Sequence, residues 1–442
     1  MTNGPFGSAL YGDLWGDAEV GKLFTDSAEI RAMLVVEGAL AEVQAGLGMI
    51  PADAGKAIKA AAYEVVLDPA GLAPGTAKSA VPVPAMVEAF RKAMGDDEAA
   101  AWAHYGATSQ DIADTGLALR LRQVLAIYET RLKDVLIATA DLADTHAELP
   151  MAARTYGQAA TPTSFGAVAA AWGRPLIALL AELPAVRQGV LRVSLGGAAG
   201  TLSVMGDKGA AVRAELARAL DLADPGASWH NDRSGITGLA ACATRLAATL
   251  GKIGEDLLLL THSTSGEVRL GTTGGSSTMP QKTNPVEPSQ IVALARFVAA
   301  QNTALQGAAL HREQRDGAAW MTEWLSLPGL ILGTARALAL TGPMIAGLTP
   351  NAERMAANLD DGSGLIFAEA LSFRLAQSMP RPKAQAAVKA LATEVRETGG
   401  SLADAAAEAY PDLSLSDIFD ALAQLGTAPV EARAFAKTVR AL

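Results

Sequence analysis

Gly271-Thr272-Thr273-Gly274-Gly275-Ser276-Ser277-Thr278-Met279-Pro280-Gln281-Lys282-Thr283-Asn284-Pro285-Val286-Glu287 is the segment on which the reading of this chain turns. Gly271, Gly274 and Gly275 free its backbone for tight turns. Two hydroxyls come next, Ser276 and Ser277, then Pro280, an isolated Lys282 and Asn284. Such a loop can present backbone N–H groups, a hydroxyl and an ammonium to an anion. It can equally be a solvated connection between two helices.

The flanks of the loop are helical in pattern. Before it, Leu239, Cys242, Leu246, Leu250, Ile253, Leu257 and Leu260 step by three or four residues. They predict a helix from Ile236 to Thr261, about seven turns long. After it, Ile291, Leu294, Val298 and Leu305 continue in helical register. Further out, Leu117, Leu121, Val124, Tyr128, Leu132, Val135 and Leu142 fall on one face of another long helix, with Arg120, Arg131, Lys133 and Asp134 off it. A fourth long helix is expected from Ala318 to Ile345, interrupted near Pro328. Helices of this length are best explained by a bundle whose members run side by side.

The two ends read as smaller helical domains. Residues 1–26 look irregular, with Tyr11, Trp15 and Phe24 as anchors onto a neighbouring surface. Ser27 is placed to cap a helix carrying Ile30, Met33, Leu34, Glu37, Leu40 and Val43. Pro51 and the stretch from Asp68 to Pro84 break the rest of this region into shorter helices. After Pro350, short helices are punctuated by Pro380, Gly399, Pro411 and Gly426. The expected organisation is therefore all-α, with a domain over 1–107, a long-helix bundle over 108–350 and a third domain over 351–442. No strand alternation and no internal repeat is evident.

Composition narrows the function classes. At 442 residues, length alone suggests about two to four domains. The net charge of −10 argues against nucleic acid or an anionic membrane as partner. Cys242 stands alone, so neither a disulfide framework nor a cysteine-based metal site is expected, and a reducing cytoplasm fits. The first residues lack the basic and apolar regions of a secretion signal, and no apolar run is read as reaching transmembrane length.

Two further strings carry polar groups at helix starts. His104-Tyr105-Gly106-Ala107-Thr108-Ser109-Gln110-Asp111-Ile112-Ala113-Asp114-Thr115 opens the helix of Leu117. Its hydroxyls are either a plain helix cap or, at a helix N-terminus, a carboxylate-binding site. Arg154-Thr155-Tyr156-Gly157-Gln158-Ala159-Ala160-Thr161-Pro162-Thr163-Ser164-Phe165-Gly166 sits just before another long helix. The Gly-rich turn Leu195-Gly196-Gly197-Ala198-Ala199-Gly200-Thr201 lacks the lysine of a phosphate-binding loop. No pair of histidines shows metal-ligand spacing.

Together, His104 to Thr115, Arg154 to Gly166 and Gly271 to Pro285 resemble the three signature strings of the fumarase/aspartase superfamily, and the layout agrees over nearly the whole chain. The resemblance implies a homotetramer in which each active site collects one string from each of three subunits. It implies reversible elimination at a carbon next to a carboxylate, through an enolate-like dianion. Ser277 falls on the position of the family's base, and Thr108, Ser109, Gln158, Lys282 and Asn284 on carboxylate-binding positions. Thr161, Ser276 and Met279 lie in the same strings and join the substrate-binding set. The chemistry suits these residue types, because preorganised N–H, amide and ammonium donors stabilise the developing dianion best away from water. Serine needs the same electropositive surroundings to act as an alkoxide.

Most superfamily lyases carry a histidine where this chain has Tyr156. Expelling an amine or hydroxide without a proton is costly, and a placed acid contributes roughly 10²–10⁴-fold. A carboxylate, with a pKa of about 4, leaves without one. Tyr156 therefore points to lactone formation and opening, the reaction of the superfamily's 3-carboxy-cis,cis-muconate cycloisomerase branch. The chain is similar to that branch also at Leu195–Gly200, at Trp229-His230, at Arg315 with Trp320-Met321-Thr322-Glu323-Trp324, at Asn358-Leu359-Asp360, at Gly364-Leu365 and at Ala368-Glu369-Ala370. The superfamily's glutamate five residues past the loop asparagine is Ser289 here.

The implied substrate is a small tricarboxylate, and no metal or organic cofactor is called for. Arg315 is a candidate contact for a substrate carboxylate. His104 is either a second acid/base or a hydrogen-bonding residue of the site wall. The remaining histidines and the pair Trp320 and Trp324 are read as structural. Adenylosuccinate lyase is the rival enzyme, although the Arg315 to Trp324 segment lacks its Ser/Arg-rich phosphate-holding pattern. A catalytically silent scaffold is the non-enzyme rival.

Overall fold

The computed structural model describes residues 4–275 and 278–442. It is 67% helical, as an all-α chain should be. The chain divides into two units, Met1–Arg131 with Leu179–Ala248 and Ala293–Ala339, and Leu132–Ala178 with Thr249–Val292 and Leu340–Leu442.

In the first unit the helix Asp26–Gly46 is capped by Thr25, whose side chain accepts from Ala28 N at 3.2 Å. The expected cap, Ser27, already lies inside the first turn, because the last extended residue is Thr25. The buried stripe of this helix includes Ile30, Met33, Leu34 and Leu40, and Glu37 is buried among them. Ala52–Glu64 packs against it at close range: a Cβ on Gly38 would fall 2.7 Å from the Ala62 Cβ. Only glycine allows that approach. Pro69–Ser79 and Val83–Met94 come next, split where the Asp68 to Pro84 stretch predicts.

Of the three expected N-terminal anchors, Phe24 is buried, whereas Tyr11 is half exposed and Trp15 is half-buried. Arg120 departs from its expected place off the apolar face. It is buried, with its guanidinium 5.3 Å from the centroid of the Phe24 ring, where the aromatic face compensates part of its lost hydration.

The long helices are Ser109–Thr145, Phe165–Val190, Ser234–Leu260, Val286–Ala308 and Gly317–Ala346. Gly317–Ala346 runs through Pro328 without the expected break. Proline inside a helix costs roughly 3 kcal/mol, and burial of Leu327, Leu330 and Ile331 beside it outweighs that cost. Phe165–Val190 and Gly317–Ala346 are long and apolar enough to cross a membrane by length and composition, which corrects the sequence reading. Of their most apolar windows, 44% and 61% respectively are buried inside the protein.

Beneath the first unit's helices lies a buried ionic cluster. Arg233 makes paired hydrogen bonds to Asp114 (2.6 and 3.2 Å) and to Glu323 (2.7 and 2.6 Å). The Trp320 indole N–H donates to Asp114 at 3.2 Å. Burial is the first influence on Glu323 and raises its pKa, against the pull of Arg233.

In the second unit, Pro150–Thr155 and Gln158–Ser164 form an antiparallel hairpin, although no strand was expected. The register shifts between Ala152 and Arg154, so no clean period-two pattern is left to read. The turn residues fix it instead. Tyr156 and Gly157 both have positive φ, 52° and 74°, as a two-residue hairpin turn of type I′ requires. The last part of the chain forms five helices from Ala352–Leu359 to Ala428–Val439, with Leu371, Leu375, Ala384, Val388, Leu402 and Ala406 in one core.

Candidate functional site

The first string is built around Asp111. Thr108 precedes the helix, and its backbone N–H donates to Asp111 Oδ2 at 3.0 Å, the return half of a capping box. Asp111 also accepts from Gly196 N (2.8 Å), Gly197 N (2.9 Å) and His230 Nε2 (2.7 Å). One buried carboxylate thus ties the helix start, the Gly-rich turn and the Trp229-His230 pair into one assembly. The Asp111 N–H, which a capping hydroxyl would accept, donates instead to Thr108 O at 3.0 Å, so the hydroxyls of Thr108 and Ser109 are not spent on capping. Both residues are half-buried, and among the described residues neither side chain makes a hydrogen bond. Arg315 joins the same assembly, donating to Ala198 O at 2.9 Å, while its buried Nε has no partner among the described residues.

His104 lies four residues before Thr108, with φ of 62°. The backbone on either side is held: Arg91 donates to Ala103 O and Gln44 to Tyr105 O, each at 2.7 Å. The His104 Nδ1 sits 2.6 Å from Glu37 Oε1. Burial lowers the pKa of this ring, but the hydrogen bond and charge of Glu37 outweigh it and hold His104 above the usual histidine range.

The second string is the hairpin of the second unit. Tyr156, at its tip, is fully exposed, and Gln158 is exposed on the return strand. Arg154 is not at the tip chemistry. Its guanidinium is bound to the buried Glu267 by two bonds of 2.8 and 2.7 Å, and Asn358 donates to the same carboxylate at 3.0 Å. Thr161 lines a cavity of about 470 Å³ with Phe367, Glu369, Phe373 and Arg374.

The third string, also in the second unit, closes on itself. Gly274 pairs with Asn284 and Gly275 with Thr283, so the loop leaves and returns at one place. Lys282 is exposed, its backbone N–H donating to Met279 O at 3.0 Å, and its ammonium makes no ion pair among the described residues. Met279 is 41% exposed. Ser276 and Ser277 lie outside the described residues. Ser289, where the superfamily has glutamate, bonds its hydroxyl to Pro285 O at 2.8 Å.

The structure therefore brings His104, Thr108, Ser109 and Arg315 into one unit, and places Gln158, Thr161, Met279, Lys282 and Asn284 in the other. Glu37 and Asp111 escaped the sequence reading as the partners of His104 and Thr108. A carboxylate inside an apolar stripe was the available signal for Glu37. Trp320 is buried and packs edge-on to Trp324 at 4.6 Å, in keeping with a packing role. Among the described residues no group of three or more His, Cys, Asp or Glu is arranged to hold a metal ion.

A family model described as Lyase matches residues 17–299. The chain is 38% identical to a 3-carboxy-cis,cis-muconate cycloisomerase of Pseudomonas aeruginosa over 82% of its own length and 80% of that protein's. It is 35% identical to a nitrosuccinate lyase of Streptomyces davaonensis, over 92% and 89% of the two chains. The crystal structure of the 3-carboxy-cis,cis-muconate lactonizing enzyme of Pseudomonas putida superposes with a TM-score of 0.93 at 30% identity, covering 98% of this chain and 99% of that one.

Proposed function

Because the chain belongs to the fumarase/aspartase superfamily of lyases and is an enzyme of that superfamily, we propose that it interconverts 3-carboxy-cis,cis-muconate and 4-carboxymuconolactone. In the forward direction a carboxylate oxygen of the muconate bonds to the ring-closing carbon. The π electrons move onto the carbon next to another carboxylate, giving an enolate-like dianion. Lys282, Asn284, Thr108 and Ser109 hold that charge, with Gln158, Thr161, Ser276, Met279 and Arg315 around the substrate. Ser277 then delivers its proton to the α-carbon and recovers one from water, so the substrate trianion takes up one proton overall as it becomes the dianionic lactone. Ring closure is intramolecular, so holding the triacid folded supplies much of the acceleration.

The observation that carries this reading is Tyr156. An exposed phenol stands where most of the superfamily has an acid for the leaving group, which favours a stabilised anion as the group expelled in the reverse direction. The unspent Thr108 and Ser109 hydroxyls support a carboxylate site. Nitrosuccinate elimination is a second reading, favoured by the Streptomyces davaonensis relative, because nitrite also leaves without a proton. The assembly belonging to this proposal is a cytoplasmic homotetramer with composite sites, divided at about residues 107 and 350. Replacing Ser277 by Ala tests the mechanism. Turnover should vanish while the oligomer seen by light scattering stays unchanged, and near-normal turnover would remove Ser277 from its role.

A further inference from the structure

Glu37 occupies a costly position. Its side chain is wholly withdrawn from solvent in the apolar stripe of Asp26–Gly46, and among the described residues Oε2 has no hydrogen-bond partner. A buried carboxylate is expensive unless it is paired, and Glu37 is paired with His104 Nδ1 at 2.6 Å. The His104 ring is one-fifth exposed (20%), and its Nε2 makes no hydrogen bond among the described residues. With the backbone held at Ala103 and Tyr105 and the ring held at Nδ1, Nε2 is the ring nitrogen left to meet a ligand. The unspent hydroxyls of Thr108 and Ser109 come four and five residues later.

We propose that Glu37 is a positioning residue of the active site: by holding His104 through Nδ1, it aims Nε2–H at the substrate carboxylate bound by Thr108 and Ser109. This rests on the reading that those hydroxyls bind a carboxylate. No proton changes hands at His104. The ring lends a charge-assisted hydrogen bond, stronger than a neutral one. The charges that face it are Glu37 and Asp111, which favour the imidazolium, and Arg91, which opposes it.

The test is Glu37→Gln in the full chain, read in two ways. First, the titration of His104 is followed by NMR on protein with ¹³C-labelled histidine, without substrate, with His104→Gln assigning the resonance. The midpoint should fall by about one pH unit or more in Glu37→Gln, since burial then acts on the ring with its main counter-charge gone. Second, kcat/KM for 3-carboxy-cis,cis-muconate is measured against pH. Wild-type kcat/KM should decline as pH rises through the His104 midpoint, and in Glu37→Gln that decline should move to lower pH by the same interval. A residue that merely supports the fold would scale the whole profile without moving it, and an unmoved decline overturns the proposal. So does an unmoved NMR midpoint. If Glu37→Gln does not fold, Glu37→Asp, which retracts the carboxylate by one methylene, should lower the midpoint by a smaller amount, and no change there also overturns it. Should the wild type leave the muconate untouched, the substrate-free titration still decides the hold of Glu37 on the ring, so the two failures are separable.

Discussion

Replacing Asp111 by Asn perturbs the point on which the first string depends. Oδ1 accepts from Gly196 N and His230 Nε2, and Oδ2 from Gly197 N and Thr108 N. An amide keeps one oxygen. The cheaper orientation leaves that oxygen at the Oδ2 position, so Gly197 and Thr108 retain an acceptor. The new NH₂ then faces His230, which can switch tautomer and accept from it, and Gly196 N, which cannot. One buried backbone donor is orphaned, at about 1–3 kcal/mol, and two charge-assisted bonds become neutral, at about 0.5–1 kcal/mol each. The sum is a loss of about 2–5 kcal/mol. Urea unfolding followed by circular dichroism, at one fixed protein concentration because assembly contributes to stability, measures it. The kcat/KM should fall at least about tenfold as Thr108 loses its charged anchor, a change of about 1.4 kcal/mol. A variant within about 0.5 kcal/mol of wild type would show that Asp111 does not organise this region.

Arg233→Met leaves Asp114 and Glu323 buried and facing each other; unfolding should show a loss of about 3–5 kcal/mol, partly restored by adding Glu323→Leu. Gly235→Ala would set a Cβ 2.0 Å from Gly189 O, so the two helices must separate, and the melting transition should report a loss of about 1–3 kcal/mol. His104→Gln should destabilise in a pH-dependent way. A histidine whose folded pKa is raised contributes stability in full below the ordinary value of about 6.5. That contribution disappears as pH rises through the raised value, so the gap to wild type should be widest in mild acid and close on the alkaline side.

The long helices were legible because their apolar residues recur every three or four positions, as from Leu239 to Leu260. Pro328 misled because a local penalty says nothing of the buried neighbours that offset it. The hairpin was hidden for the opposite reason, since its two strands are set by a two-residue turn and a register shift rather than by alternation. Among the candidate site residues, Thr108, Ser109, Lys282 and Asn284 were visible as parts of strings. Asp111 looked like one more helix-starting residue. Three of its four bonds reach Gly196, Gly197 and His230, which sequence spacing cannot relate to it. Glu37 and His104 are likewise 67 residues apart.

The central claim is that this enzyme stabilises a carbanion next to a carboxylate and releases a leaving group that needs no acid. The most direct measurement is the ultraviolet absorbance of the conjugated diene when purified protein meets 3-carboxy-cis,cis-muconate, with adenylosuccinate and nitrosuccinate in parallel. The account predicts loss of the muconate absorbance and no change in adenylosuccinate. A muconate that stays intact while adenylosuccinate is consumed would contradict it.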